Sequence, residues 1–553
     1  MTPTRSSTLA RIAGSLDWRN AMGVVDILRG PPAEAKGLDA HGRLRSGRLK
    51  GLSMPMAIWV LSWPILVESA LNALVGLTDT VLSSQIGSGS EDGLGALGVS
   101  AVDAVDAISA ASYIMWFIGL TFMALGMGAT SLISRSVGRG RMGVAGAAMA
   151  QCLLLGAILA AAVGALVAIS TTWIPGFMGL SEPGAKAFRY YMLVIAAGTP
   201  LAGLLFGGIA CLRGAGDSVR PLWAMIARNV VNIVMSWALS GIDLPGLANP
   251  FSFDLGIVGI AIGTVAGDAV GALMILGYCF AGASGVKLRV RRLRPHWHTI
   301  RRLVRLGLPN YFETLGMWVG NFAIVFFVAQ LSVAGAAKDS LRTLAESTPG
   351  QSAGLLGSHM WAIRIEAISF LPGFAMGIAA ATLAGQYLGA GSPRHAIRGV
   401  LACAGLASLL MGTLGVLMFL FPTQITNVLT PVPEHREVVP TLLMICGVVQ
   451  IPFALAIVFR QALRGVGDVR VVMGLTWFTT YGIRLPAAYL VSGVRLPLPD
   501  VLGGGELLNP MGEFLDWEPS LARLWLALCS ELIIRGIVFA VRFGQGTWTK
   551  IRV

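Results

Sequence analysis

Residues 153–169 read LLLGAILAAAVGALVAI and residues 400–422 read VLACAGLASLLMGTLGVLMFLFP, with no charged side chain in either stretch. An apolar run of about 18 or more residues is long enough to cross a bilayer as an α-helix. Within lipid, only helices and closed barrels satisfy all of their backbone polar groups. Because these runs lack the two-residue alternation of barrel strands, they predict an all-α integral membrane protein.

The composition of the whole chain agrees with this prediction. The chain has 553 residues, of which 55% are hydrophobic and only 12% are charged, whereas a typical soluble domain carries about 25% charged residues. The net charge of +13 does not indicate a nucleic-acid partner, because the basic residues lie at the ends of apolar runs and form no single patch. Such a distribution is typical of anchoring at the cytoplasmic face of a membrane.

The apolar runs predict twelve transmembrane spans. They fall near residues 54–84, 106–134, 144–173, 186–210, 219–241, 256–281, 302–333, 359–386, 396–421, 437–460, 470–493 and 520–543. Basic residues follow every second span, while the intervening loops are acidic or mixed. Since cytoplasmic loops carry the excess of Lys and Arg, we predict that both termini lie in the cytoplasm.

The two halves of the chain resemble each other. Cys211-Leu-Arg-Gly-Ala-Gly-Asp217 recurs as Ala462-Leu-Arg-Gly-Val-Gly-Asp468, and Glu68 of the first span corresponds to Glu313 of the seventh. Each half then has six spans in the same orientation, which predicts a parallel repeat with a site between the halves, as in many transporters. The alternative is an inherited duplication without a mechanistic role.

The repeat defines the predicted domain organisation. A basic cytoplasmic extension, a six-helix bundle, a basic linker, a second six-helix bundle and a cytoplasmic tail occupy residues 1–50, 51–283, 284–302, 303–545 and 546–553. The Arg-Gly-x-Gly-Asp segments lack the Gly-Lys-Ser/Thr ending of an ATP-binding loop, so we interpret them as structural turns. Without an ATP-binding domain, transport has to be driven by an ion gradient or by the gradient of the substrate itself.

Ionisable residues inside spans are candidate functional residues, because each costs at least a few kcal/mol in the bilayer. Glu68, Asn72 and Asp79 share one face of the first span over roughly 16 Å, which suits a water-lined path. The alternative for Asp79 is that it borders the outer end of the span and meets headgroups. In the seventh span, Glu313 begins a face that continues through Met317 and Asn321.

Further polar and adaptable side chains lie on the predicted inner faces. The candidates for the substrate cavity are Asp268, Glu366, Glu531, Met123, Met317 and Asn321. Glu531 has a competing interpretation, because Arg535 lies four residues later and neutralises it on the same helix face. Methionine-rich walls adapt to varied ligands, although such residues also serve in plain helix packing.

The coupling ion is predicted to be H⁺ or Na⁺, with no other cofactor and no structural metal. A proton would be carried by carboxylates, whereas Na⁺ would be held by hard oxygen ligands, for which Asp79 and Asn232 are suitable. The scattered cysteines predict neither a disulfide framework nor a metal cluster.

Residues 50 to 550 resemble the multidrug and toxic compound extrusion (MATE) family. Short motifs carry this resemblance, in order and in both halves: Trp63-Pro64-Ile-Leu-Val-Glu68, Leu77-Thr-Asp79-Thr80, Gly138-Arg-Gly140, Leu212-Arg-Gly-Ala-Gly-Asp217, Asn229-Val-Val-Asn232, Gly307-Leu-Pro309, Ala362-Ile-Arg-Ile-Glu366, Leu371-Pro-Gly373, Gly385-Gln-Tyr-Leu-Gly389, Leu463-Arg-Gly-Val-Gly-Asp468 and Ile483-Arg-Leu-Pro486. The resemblance implies two six-helix bundles around a V-shaped cavity. It also implies cation-coupled export of amphipathic, often cationic compounds by alternating access.

The resemblance also implies roles for particular residues. Asp79 matches the family's first-helix carboxylate, which is linked to cation coupling, Asn232 matches its fifth-helix Asn, and Glu313 matches a recurrent seventh-helix Glu or Gln. Ser236 stands where many members carry Asp, so this chain departs from the proton network of archaeal members. With Glu68 and Asn72, these residues form the predicted cation-coupling set: Asp79, Glu68, Asn72, Asn232 and Glu313.

These observations predict a multi-pass antiporter of a bacterial-type inner membrane, acting as a monomer on small organic molecules. A lipid-linked oligosaccharide flippase of the same wider superfamily is the alternative, since Arg228, Arg364, Arg484 and Arg535 provide cations for a pyrophosphate. A membrane enzyme or receptor is a third class, but the sequence has no nucleophile–base pair, metal-ligand cluster or sizeable soluble domain. The insertions at residues 335–357 and 494–519 are predicted to be irregular loops.

Overall fold

The structure is a computed structural model of the chain. It describes residues 23–30, 35–86, 94–95, 98–243, 249–251, 253–342, 354–430, 432–497, 506–507, 509–515 and 519–551. Within these ranges the chain is almost entirely helical, and the strands are confined to two short antiparallel pairs.

The first half contains α1 to α8 and one strand pair. The helices are α1 (Gly23–Arg29), α2 (Met54–Ser84), α3 (Ala101–Gly138), α4 (Met142–Ser170), α5 (Ile174–Phe177), α6 (Glu182–Gly214), α7 (Val219–Ser240) and α8 (Gly256–Ala281). The strands are β1 (Leu94–Gly95) and β2 (Val99–Ser100), which pair antiparallel.

The second half contains α9 to α18 and the other strand pair. The helices are α9 (Trp297–Arg342), α10 (Gly354–Gly389), α11 (Pro393–Leu420), α12 (Pro422–Leu429), α13 (Pro433–Val448), α14 (Gln450–Gly465), α15 (Val469–Trp477), α16 (Leu485–Ser492), α17 (Pro510–Phe514) and α18 (Leu521–Gly544). A π-helical stretch, Phe478–Arg484, joins α15 to α16. The strands β3 (Leu496–Pro497) and β4 (Glu506–Leu507) pair antiparallel.

The described helices account for the predicted spans. Ten are long and apolar enough to cross a membrane, and α13 with α14 forms an eleventh candidate that is bent by 58°. The remaining predicted span, residues 470–493, corresponds to the continuous helical segment formed by α15, the π-helical stretch and α16. The prediction of an all-α, membrane-spanning fold is confirmed.

Each bundle has its own apolar core. In the first bundle, α3, α4, α6 and α8 bury side chains such as Met149 and Ile209. In the second bundle, α10, α11, α14 and α18 do the same with side chains such as Met411 and Phe539. The start of α2 crosses between them, because Leu61 is buried against the core of the second bundle.

The bundles meet at the ends of the helices that carry the basic loops, which is the predicted cytoplasmic side. A Cβ added at Gly138 of α3 would overlap the backbone of Gln386 in α10, and one at Gly389 of α10 would overlap the backbone of Arg135. The side chain of Gln386 donates to the carbonyl of Gly214 at 3.2 Å. Glycine permits this approach because small residues let helix backbones come close. The seam between the bundles is therefore tightly closed on this side.

The segment 35–52, which precedes α2, lies across this seam. The amide of Gly37 donates to the carbonyl of Ala390 in the second bundle at 3.2 Å. The hydroxyl of Ser46 donates to the carbonyl of Val137 in the first bundle at 2.6 Å. Leu49 is 1% exposed and packs beside Gly216. The part of the N-terminal extension that the structure describes is thus packed against both bundles.

Both predicted irregular insertions are shorter than expected. Helix α9 extends to Arg342 and α10 begins at Gly354, so only residues 343–353 between them lie outside the described residues. Residues 335–342 continue α9 because most of them, Ala, Lys, Leu and Arg, are good helix formers, which outweighs the single Gly335. In the second insertion, β3, β4 and α17 are formed, whereas residues 498–505, 508 and 516–518 lie outside the described part.

Candidate functional site

A polar cluster in the first bundle contains two oxygen atoms without partners. Oδ1 of Asp79 in α2 is buried and makes no hydrogen bond with any described residue. Oδ1 of Asn232 in α7 is likewise buried and unbonded, while its Nδ2 donates to the Thr264 hydroxyl of α8 at 3.0 Å. Buried acceptor atoms normally have a donor or a cation, so this pair of oxygens favours binding of a proton or a hard cation.

The close contact of α7 and α8 forms this cluster. Glycines recur at every fourth residue of α8, at positions 259, 263 and 267. A Cβ at Gly259 would lie 2.5 Å from the Leu239 backbone, and one at Gly267 would lie 2.6 Å from the Arg228 carbonyl oxygen. This small-residue stripe allows the helix backbones to approach, which places Asn232 opposite Thr264. Tyr191 of α6 lies beside the cluster, close enough to Asp79 to interact with it electrostatically, and its hydroxyl donates to Sδ of Met115 at 3.9 Å.

Two nearby residues, Ser236 and Asp268, add no unpaired carboxylate to this cluster. Ser236 is fully buried, and its hydroxyl donates to the carbonyl of Ile260 at 3.2 Å. Asp268, predicted to line the substrate cavity, accepts from Nε of Arg228 at 2.6 Å. A second acidic side chain is therefore present near Asp79, but it comes from α8 and is already paired with an arginine.

Glu68 and Asn72 occupy different environments from Asp79, although all three lie on α2. Glu68 is buried and forms an ion pair with Arg213 of α6 at 2.5 Å, whereas Asn72 is exposed. The structure therefore does not gather the predicted stripe into one site, and the roles of Glu68 and Asn72 in coupling stay predictions.

The second bundle repeats the ion pair of the first. Glu313 of α9 is 0% exposed and accepts from Nε and Nη2 of Arg464 in α14 at 2.8 and 2.7 Å. The hydroxyl of Thr476 also donates to Oε1 of Glu313 at 2.8 Å. Glu313 and Arg464 correspond in the repeat to Glu68 and Arg213. In each half, the arginine of the Arg-Gly-x-Gly-Asp segment therefore pairs with the glutamate on the first helix of that half. Gly216 and Gly467 both have a φ of +92°, which permits the turn that follows each arginine.

The predicted face of α9 is lined by arginines. Arg464 pairs with Glu313, Nη1 of Arg460 donates to Sδ of Met317 at 2.8 Å, and Nη1 of Arg484 donates to Oδ1 of Asn321 at 3.0 Å. Arg460 and Arg464 were predicted to follow the tenth span as loop residues. That prediction is wrong, since both lie inside α14.

The remaining cavity candidates of this bundle lie around the same arginines. Glu531 of α18 is buried and accepts from Nε of Arg535 at 2.7 Å, as the neutralising interpretation predicts. Arg535 also donates to the hydroxyl of Thr480 at 3.0 Å. Glu366 of α10 lies in the electrostatic field of Arg484. Met123 of α3 is 42% exposed, so it is free to contact a ligand or lipid.

The sequence analysis did not single out Tyr191, Thr264 or the position of Arg460 inside α14. Arg460 could have been recognised, since it precedes Arg464 by one helical turn on a mainly apolar helix. No cluster of three or more His, Cys, Asp or Glu suited to a metal occurs within the described ranges. All six cysteines are buried free thiols.

Comparison with known proteins shows what the chain is similar to. The profile of the MatE family matches residues 64–238 and 345–490, more than half of the chain. The chain is 25% identical over 492 residues to a probable multidrug resistance protein NorM of Thermotoga maritima, covering 89% of this chain and 92% of that protein. It is 26% identical over 505 residues to the multidrug resistance protein PmpM of Pseudomonas aeruginosa, covering 89% and 91%.

Solved structures agree at the level of the fold. The outward-facing structure of a multidrug resistance MATE family transporter of the MOP superfamily superposes with a TM-score of 0.70 at 19% identity, covering 90% of this chain and 98% of that one. The expectation that the protein is a transporter and not an enzyme is confirmed by the family match. The chain belongs to the MatE family of multidrug and toxic compound extrusion membrane transporters.

Proposed function

We propose that this protein is a cation-coupled antiporter that exports amphipathic compounds from the cell by alternating access. The observation that carries the proposal is the pair of buried, unbonded oxygens of Asp79 and Asn232 in the first bundle. A carboxylate without a partner can take up a proton or help to hold Na⁺, since either one relieves the cost of a buried unpaired charge. The relatives named as multidrug resistance proteins support a small-molecule substrate.

The closed seam supports alternating access. The bundles are in contact at the end with the basic loops, through Gly138, Gly389 and their neighbours. Access from the predicted cytoplasmic side then requires the bundles to separate there, as rigid-body rocking of two repeats would achieve. The likeness to an outward-facing structure is in line with this arrangement.

The flippase alternative loses most of its support. Of the four arginines available for a pyrophosphate, Arg228 and Arg535 are paired with carboxylates. The guanidinium of Arg364 lies over the ring of Trp361 at 5.4 Å. Of the four, only Arg484 lies in the bundle interior with no carboxylate of the described residues within salt-bridge distance. One arginine is too little positive charge to neutralise a pyrophosphate.

The test is transport by purified protein in proteoliposomes, with ethidium as the substrate and with H⁺ and Na⁺ gradients imposed separately. We expect one of the two gradients to drive ethidium accumulation, and Asp79→Asn to reduce the driven rate to that of protein-free liposomes. Asp106→Asn is the matched control, because Asp106 is exposed on α3. Failure of both gradients in the unsubstituted protein would overturn the proposal, whereas full transport by Asp79→Asn would remove Asp79 from the mechanism.

A further inference from the structure

We propose that Arg460 and Arg484 form a site for an acidic group of the transported compound, so that the preferred substrates are amphiphiles carrying a carboxylate. This inference rests on the proposed export function and specifies its substrate class. The site lies in the second bundle, on the face of α9 that contains Met317 and Asn321.

Three arginines face three successive positions of α9. Glu313, Met317 and Asn321 are spaced by four residues, so they lie one above another over about 12 Å of helix. Each accepts a hydrogen bond from a different arginine, respectively Arg464, Arg460 and Arg484. Only the first of the three acceptors is a carboxylate.

Two of the three carboxylates of this region are already bound by other arginines. Glu313 is bound by Arg464 through two atoms, and Glu531 is bound by Arg535. Glu366 adds a balancing negative charge, but it makes no salt bridge with the arginines that the structure describes. Arg460, Arg464, Arg484 and Arg535 therefore stand against Glu313, Glu366 and Glu531, which leaves one positive charge in excess.

Of these four arginines, Arg460 and Arg484 have the weakest hydrogen-bond acceptors. Arg460 lies 4.0 Å from the nearest oxygen of Glu313, and its closest hydrogen-bond acceptor is the thioether sulfur of Met317, which is a weak acceptor. Arg484 bonds a neutral amide. The Nε atoms of both arginines are buried and make no hydrogen bond among the described residues. A buried guanidinium without a carboxylate costs several kcal/mol, so an incoming anion would recover that cost.

The site borders the seam between the bundles. Trp318, which follows Met317 on α9, contacts Trp116 of α3 with ring centroids 4.7 Å apart, so α9 adjoins the first bundle next to the site. The side chain of Arg460 retains 11% exposure. Arg484 is the last residue of the π-helical stretch, a local irregularity that frequently marks functional positions. An acidic group bound here would lie beside α9, close to where that helix adjoins the first bundle.

The geometry suits a carboxylate on a larger molecule. Guanidinium groups bind carboxylates through paired N–H donors, and the unbonded Nε atoms provide such donors. Asp79 and Asn232 lie in the opposite bundle and favour a cation, whereas this site favours an anion. The two bundles together then suit a compound that carries both charges on one apolar body.

The experiment compares two probes that differ only in the carboxylate: rhodamine B, which is zwitterionic, and its ethyl ester, which is cationic. Binding to the purified full-length protein in detergent is measured by fluorescence anisotropy. We expect the acid to bind at least tenfold more tightly than the ester, as a charge-assisted hydrogen bond allows. Arg460→Met and Arg484→Met should each weaken acid binding about tenfold and change ester binding by less than about twofold.

Three further variants separate a binding role from a folding defect. Arg460→Lys retains the charge and should keep part of the preference for the acid. Arg470→Met removes an exposed arginine and should change neither probe. Arg460→Met should lower the melting temperature less than Arg464→Met does, because Arg460 lies 4.0 Å from Glu313 whereas Arg464 binds it through two atoms.

Several results would overturn the inference. These are equal affinity for acid and ester, equal weakening of both probes in Arg460→Met, or displacement of rhodamine B by phosphatidylglycerol, which would identify a lipid headgroup as the occupant. If the protein exports the ester under an ion gradient but shows no preference for the acid, only this inference fails. If it exports neither probe nor ethidium under either gradient, the proposed function fails.

Discussion

Arg464 binds both carboxylate oxygens of Glu313, at 2.8 and 2.7 Å, in a site from which solvent is excluded. The corresponding pair of the other half is simpler, since Arg213 contacts one oxygen of Glu68, at 2.5 Å. Each bundle therefore uses one arginine–glutamate pair to hold its first helix. The occurrence of the pair in both halves is in line with a structural role for Glu313.

The first prediction concerns this pair. Arg464→Met removes both charge-assisted hydrogen bonds to Glu313 and leaves only the more distant Arg460, at 4.0 Å, beside the buried carboxylate. It should cost about 3–5 kcal/mol of stability, seen as a lower melting temperature of the purified protein. Adding Glu313→Met should recover most of the loss, because removing both charges eliminates the unpaired one. A double variant as unstable as the sum of the single variants would contradict the coupling of the two residues.

The second prediction concerns the closed seam. Gly138→Ala introduces a Cβ that overlaps the backbone of Gln386, so the bundles should separate at this end. Spin labels at Arg139 and Arg398, which are exposed on opposite sides of the seam, should show a longer distance in a larger fraction of molecules. Gly405→Ala is the control, since no atom lies within 4 Å of a Cβ there. Unchanged distances in Gly138→Ala would show that the seam does not depend on this contact.

The third prediction concerns the segment 35–52. Leu49→Ala removes a buried side chain and should cost about 2–5 kcal/mol locally, which loosens the segment from both bundles. Trypsin should then cleave at Arg43, Arg45, Arg48 and Lys50 about tenfold faster, as expected when local opening costs at least about 1.4 kcal/mol less.

The control for this experiment is Val290→Ala, because Val290 is 69% exposed in the linker. Equal cleavage rates in Leu49→Ala and the unsubstituted protein would mean that the burial of Leu49 does not hold the segment in place.

The fourth prediction concerns the amide of the polar cluster. Asn232→Ala removes one of the two unbonded oxygens and should lower ion-driven transport at least about tenfold, a loss of about 1.4 kcal/mol or more in ion binding. Higher concentrations of the coupling ion should restore part of the rate. Gln424→Ala, which removes an exposed amide of α12, should transport normally. A rate that falls without recovery at high ion concentration would indicate a folding role instead.

Much of the architecture can be predicted from the sequence, because it depends on local properties. A charge-free run such as residues 153–169 forms a helix in a bilayer because its backbone polar groups have no water to bond. The alternation of basic loops predicts the orientation of the spans, because cytoplasmic loops carry the excess of Lys and Arg. The correspondence of Glu68 with Glu313 also predicts the two bundles. Asp79 and Asn232 can be selected as candidate residues from the cost of polar groups inside spans and from their match to the family motifs.

The errors arise where partners are distant in the chain. Arg460 and Arg464 look like loop residues, since basic residues usually mark the end of a span, yet both are inside α14. Helical periodicity predicts which face of α14 these two arginines occupy, but it does not predict which helix lies opposite that face. Their acceptors, Met317 and Glu313, lie 143 and 151 residues earlier, and no local pattern connects such positions.

The sequence by itself therefore determined the membrane class, the twofold repeat and the list of polar groups inside the spans, because each depends on residues within one helix. Only the tertiary structure decided which of those groups are neutralised. Glu68, Asp268, Glu313 and Glu531 each form a close ion pair with an arginine. Asp79 and Arg484 form no salt bridge among the described residues, and Asp79, Asn232, Arg460 and Arg484 each have a buried polar atom without a hydrogen bond. The physical reason is that ion pairing depends on how the helices pack and on which of their faces meet. Packing thereby sets how much free energy is gained when a proton, a metal cation or an anion binds at each site.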